Sequence, residues 1–96
     1  MSQTKLEEIK EKALPILRQA NIQKAVLFGS HVRGDNTEKS DIDMLVAFPE
    51  NTTLLDVAKL QRQLEEQLDN KVEIVSYNAI SPLIRDSILK HQYPVL

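Results

Sequence analysis

Residues 27–48 read LFGSHVRGDNTEKSDIDMLVAF, and this stretch decides the fold: two apolar segments are separated by a polar crossing that begins at a glycine. Residues 25–28, AVLF, have the composition and length of a short buried strand. Gly29 interrupts the apolar run, residues 30–33 have room for one helical turn, and Gly34 is placed to end it. Residues 35–40, DNTEKS, are all polar and make a loop. From Asp41 to Phe48 the content turns to Ile, Met, Leu, Val, Ala and Phe, which predicts a strand nearly buried on both faces at its far end, closed by Pro49. With only two glycines and no cysteine in the chain, such a concentration of Gly, Ser, Arg and Asp beside apolar strands has the make-up of a metal-dependent phosphate site.

Outward from this stretch the periodicity becomes helical. Leu6, Ile9, Ala13, Ile16 or Leu17, and Ala20 recur at spacings of three and four, so residues 5 to about 19 read as an amphipathic helix. Thr4 with Glu7 fits a capping box. Pro15 lacks the N–H that would bond back to residue 11 and is expected to kink the helix or divide it. Asn21 reads as a C-cap or turn residue. On the other side, Thr52 or Thr53 caps a second long helix carrying Leu54, Val57, Leu60 or Gln61, Leu64 and Leu68, with Lys59, Arg62, Glu65 and Glu66 on its polar face. Asn70 ends it. Residues 71–75 alternate as a strand, and Ser81-Pro82 opens a last helix through Ile84 and Ile88.

Three strands in one small sheet, with helices packed mainly on one face, give an α/β (α+β) domain. The strand after the second helix is expected to run parallel to the 41–48 strand, because a helical crossover favours that pairing.

At 96 residues and 10.9 kDa the chain has the size of a single domain, residues 1–96. Twelve Lys plus Arg against 14 Asp plus Glu give a net charge of −2. Without a basic stripe, no direct nucleic-acid binding is expected, while a nucleotide, which brings its own metal, is not excluded. The lack of cysteine excludes disulfide scaffolds, thiolate metal sites and thiol nucleophiles. No apolar run reaches the 18 or so residues that cross a bilayer, so no membrane association is expected and the cytoplasm is the default location.

The chemistry-bearing residues follow from strand parity. Asp41 and Asp43 are two apart on one strand and share a face, with Ile42 on the other. There they could share divalent cations; the plainer reading is a polar strand start. Carboxylates suit magnesium, and two such ions can clamp both sides of an in-line phosphoryl or nucleotidyl transfer. Glu73 has the parity to join them from the neighbouring strand, where it either binds the metal that activates an attacking hydroxyl, takes that hydroxyl's proton, or is an ordinary solvent-facing residue. Gly29 lets a backbone come close, and Ser30 with the free N–H groups of the turn can hold phosphates. Arg33 reaches the same phosphates or ion-pairs at the surface.

LFGSHVRG followed by SDIDMLV, then KVEIV and SPLIRDSI, resembles the minimal nucleotidyltransferases of the DNA polymerase beta superfamily over essentially the whole chain. The family signature is a Gly-Ser, an Arg-Gly shortly after, and a Ser-Asp-Ile-Asp pair on the next strand. The resemblance implies that Gly29 and Ser30 bind nucleotide phosphates, that Asp41 and Asp43 hold the metals, Mg2+, and that Glu73 occupies the third carboxylate position. That position is usually aspartate, and Glu73 is one methylene longer, about 1.5 Å. His31 stands where arginine or another residue is common, and reads as a rim or surface residue. Members of this family commonly act as antitoxins of a helical HEPN-domain ribonuclease toxin, and some transfer AMP from ATP to a tyrosine of that toxin. The resemblance thus implies an adenylyltransferase whose acceptor is a HEPN toxin encoded by an adjacent gene; the rival expectation is a non-catalytic antitoxin that occludes its partner. Residues 92–96, QYPVL, are either a contact for that partner in a hetero-oligomer or a tail folded back on the domain's own helices.

Overall fold

The computed structural model describes residues 3–29, 32, 34 and 41–96. Helix α1 (Gln3–Gln19) leads into strand β1 (Lys24–Phe28), and strand β2 (Ile42–Ala47) into helix α2 (Leu54–Leu68). Strand β3 (Val72–Ser76), a 3-10 turn (Tyr77–Ala79), helix α3 (Pro82–Lys90) and strand β4 (Tyr93–Pro94) complete the order.

The amphipathic reading of α1 holds, with Ile9, Ala13 and Leu17 buried. The helix begins at Gln3, so Thr4 lies inside it and is not its N-cap. Nor does Pro15 divide it: the helix continues to Gln19. Pro15 and Glu11 are both exposed, so the carbonyl that loses its N–H partner can bond to water. At the end Asn21 takes φ 61°, with Asn21 N–H donating to Arg18 O at 3.0 Å and Ile22 N–H to Leu17 O at 3.0 Å. This pairing satisfies two orphan carbonyls and turns the chain into β1.

Thr53 caps α2 through a complete capping box: Asp56 N–H donates to Thr53 Oγ1 at 3.2 Å, and Thr53 N–H to Asp56 Oδ2 at 3.0 Å. Leu60, Leu64 and Leu68 are the buried stripe. Leu54, expected on that stripe, is 88% exposed; at heptad spacing it lies in phase with Gln61, on the flank of the helix. Asp69, at φ 51°, ends the helix one residue before the expected Asn70, since aspartate also tolerates the left-handed region. Ser81 caps α3 and Pro82 is its first residue, as expected.

The sheet order is β3-β2-β1-β4. β2 pairs parallel with β3 and antiparallel with β1, so the expected crossover is present. Ala25, Leu27, Ile42, Met44, Val46 and Val72 point to the face covered by α1 and α2 and share one core with Leu17, Leu60 and Leu64. Alternate residues Val26 and Leu45 meet Ile80 and Ile88 of the α3 region on the other face. Two helices therefore cover one face, and α3 covers a smaller patch of the other.

Two features of the sheet go beyond the sequence reading. β4 is a fourth strand, pairing antiparallel with β1 through Val26↔Pro94 and Leu27↔Tyr93. Val95 is 2% exposed, and its N–H donates to Ala25 O at 2.9 Å. The tail is thus folded onto the sheet edge. At the opposite edge, Gln61 Nε2 donates to Val72 O at 2.9 Å and Val72 N–H donates to Glu65 Oε2 at 3.1 Å. Both outward-facing backbone groups of Val72 are therefore satisfied from α2.

Candidate active site

Strand directions bring the sequence-separated candidates to one end of the sheet. Because β1 runs against β2, its last residue Phe28 lies beside Asp43; because β3 runs with β2, Glu73 lies beside Asp43 on the other side. Neighbouring strands stand about 4.8 Å apart. Asp43 and Glu73 therefore share the face opposite α1 and α2, with Asp43 half-buried and Glu73 exposed.

Asp41 is exposed and immediately precedes β2. Between the two aspartates, Ile42 is 1% exposed in the main core, and its N–H donates to Lys71 O at 2.8 Å. The alternation is anchored from behind by that buried side chain. One step along the strands, the row of Val26, Leu45 and Val75 is covered by Ile80 and Ile88. The carboxylates thus stand at the lip of an apolar patch that the sequence reading did not foresee, and Phe28, beside Asp43 in the sheet, packs against that patch.

Gly29 ends β1 with φ +82°, and Val32 N–H donates back to its carbonyl at 3.1 Å. The chain turns sharply where phosphate binding is expected. The position a Cβ would take at Gly29 is occupied by the Asp43 carboxylate, a tertiary contact with no signal in the sequence. Gly34, at φ +85°, has open space on that side, consistent with a turn terminator. Ser30, His31, Arg33 and the loop 35–40 lie outside the described residues.

A shallow depression of about 250 Å³ is lined by Asp41, Lys71 and Glu73 together with Gln61 and Glu65. A larger cavity of about 630 Å³, lined by Asn21, Phe48, Pro49, Thr52 and Asp56 among others, lies at the far end of β2. The depression includes the sequence candidates Asp41 and Glu73, whereas the larger cavity is lined by none of the candidates. Among the described residues, no three His, Cys, Asp or Glu side chains are close enough to hold one metal ion. Nor is any helix among them long and apolar enough to cross a membrane.

The polymerase beta nucleotidyltransferase family model matches residues 11–96. A protein of Methanocaldococcus jannaschii, provisionally named protein adenylyltransferase MJ0435, is 44% identical over 91 residues, 95% of this chain and 98% of its own length. A solved structure described as a provisional minimal nucleotidyltransferase superimposes with TM-score 0.82 at 37% identity, covering 98% of this chain and 96% of that one. The same fold also occurs in a complex of a tri-AMPylated Shewanella oneidensis HEPN toxin with its MNT antitoxin, with TM-score 0.71 at 21% identity over all of this chain and 72% of that one. With the parallel β2–β3 crossover, the paired acidic positions and the glycine turn, these matches agree on one assignment: the chain belongs to the polymerase beta nucleotidyltransferase family.

Proposed function

We propose that this chain is a magnesium-dependent nucleotidyltransferase that moves AMP from ATP to a hydroxyl of a partner protein, acting as the antitoxin of a HEPN-type toxin encoded by an adjacent gene. The observation that carries this reading is the opposition of Asp43 and Glu73 on adjacent parallel strands, with Gly29 turning the chain beside them. The protein adenylyltransferase name of the relative and the AMP-modified toxin in the related complex support the nucleotide and the acceptor.

Asp41, Asp43 and Glu73 offer only carboxylate oxygens, the donor type that fits a hard divalent cation. Two Mg2+ ions held by them would stabilise charge on the attacking and leaving oxygens of an in-line displacement. In the transfer, the acceptor oxygen bonds to the α-phosphorus, the bond from that phosphorus to its bridging oxygen breaks, and pyrophosphate leaves with the electron pair. Glu73 is exposed where Asp43 is half-buried, so it meets the incoming hydroxyl and receives its proton. Gly29, Ser30 and Arg33 hold the phosphates through backbone N–H, hydroxyl and guanidinium groups.

A second reading, a non-catalytic antitoxin that neutralises its partner by occlusion, is favoured by the absence of a three-residue metal-holding group among the described residues. One experiment separates the two. The chain is incubated with the neighbouring gene product, Mg2+ and ATP labelled on the α-phosphate. Label on the partner that disappears with Asp41→Asn plus Asp43→Asn supports transfer; a stable inhibitory complex without label supports occlusion. Neither label nor complex would refute both.

A further inference from the structure

Two glycines share a left-handed backbone, at φ +82° and +85°, yet only one has a side chain against it. A Cβ built on Gly29 collides with Asp43 Oδ2, and stands 3.0 Å from Asp43 Cγ and 3.2 Å from its Cβ. The same construction at Gly34 meets nothing within 4 Å. The neighbour at Gly29 cannot yield cheaply. Aspartate has two side-chain torsions, its Cβ and Cγ are part of the contact, and its backbone is fixed by pairing with Phe28 and Glu73 on both sides.

We infer that Gly29 is a positioning residue for Asp43: its bare Cα is the wall that sets the direction of the Asp43 carboxylate. This role is additional to the phosphate contact proposed for its backbone. The metal consequence rests on the function proposed above, whereas the contact itself does not. A methyl group at position 29 turns the carboxylate about χ1 toward another staggered position. That displaces its oxygens by far more than the roughly 0.2 Å a metal site tolerates in its ligand distances.

The test compares wild type, Gly29→Ala, Asp43→Ala and the double variant by thermal unfolding and by electron paramagnetic resonance titration with Mn2+. The backbone cost of a left-handed alanine is common to both backgrounds, while the collision with the carboxylate exists only where Asp43 is present. The drop in melting temperature caused by Gly29→Ala is therefore expected to be smaller by roughly 4–8 °C in the Asp43→Ala background. A double variant that folds when Gly29→Ala alone does not is the same result in stronger form. In folded Gly29→Ala, Mn2+ affinity is expected to fall roughly tenfold or more. Equal losses of stability in both backgrounds, including failure of both to fold, overturn the inference, as does unchanged Mn2+ affinity in a folded Gly29→Ala. A wild type that binds no Mn2+ even with ATP overturns the metal reading instead, and the coupling in melting temperature still decides the role of Gly29.

Discussion

Truncating Val95 to alanine tests whether the last residues of the chain belong to its core. Val95 is 2% exposed and packs in the cluster formed by α1, α2 and the covered sheet face. Alanine keeps the N–H that donates to Ala25 O at 2.9 Å, so the loss comes from the side chain alone. Two buried methyl groups at about 0.8 kcal/mol each, with a further contribution from the cavity left behind, predict a destabilisation of about 1.5–3 kcal/mol. In a domain of this size that lowers the melting temperature by roughly 6–24 °C. Thermal unfolding followed by circular dichroism, with urea midpoints as a second measure, reads the effect. Leu83→Ala is the control, because Leu83 is 84% exposed and its truncation is expected to stay within about 0.5 kcal/mol. If Val95→Ala shifts the transition no more than Leu83→Ala, the tail does not contribute to the core. If the prediction holds, removing residues 92–96 also removes part of the core, so a loss of partner binding in such a shortened chain has to be separated from loss of folding.

Asp41→Asn plus Asp43→Asn is expected to abolish Mg2+-dependent ATP binding in calorimetry, because without a metal the carboxylates and triphosphate repel one another and the metal reverses that interaction; unchanged affinity in a folded double variant contradicts the assignment. Glu73→Gln is expected to slow transfer to the partner by about 100-fold while leaving ATP affinity within a few-fold, since its interaction belongs to the transition state. Equal losses in both would remove Glu73 from the attacking side. Thr53→Ala breaks the capping box and is expected to cost about 1 kcal/mol, read as a lower urea midpoint with an unchanged slope.

Much of the fold was legible because local chemistry and tertiary packing agree. Asn21, the Thr52-Thr53 pair and the Ser81-Pro82 pair are read as helix boundaries from side-chain chemistry alone, and Asn21, Thr53 and Ser81-Pro82 serve as such. The face shared by Asp43 and Glu73 followed from parity once the crossover was taken as parallel. What escaped depends on partners distant in sequence. β4 has two residues, one of them proline, too short for any alternation to register and compatible with a strand only at a sheet edge. Glu65 has the composition of a solvated helix face, and nothing local shows that it bonds to Val72. Likewise Gly29 announces a turn, but its contact with a carboxylate 14 positions later appears only when β1 and β2 are aligned.

The two bonds at Val72 also tie two periodicities together. Gln61 and Glu65 stand one turn apart on α2 and grip the carbonyl and the N–H of a single residue. A slip of β3 by one position would break both and turn Glu73 toward the helices. The rotational phase of a helix behind the sheet thus acts as an index mark for which side of β3 is acidic. Anyone redesigning the surface for solubility, with Gln61 and Glu65 treated as freely exchangeable polar positions, would be erasing that mark.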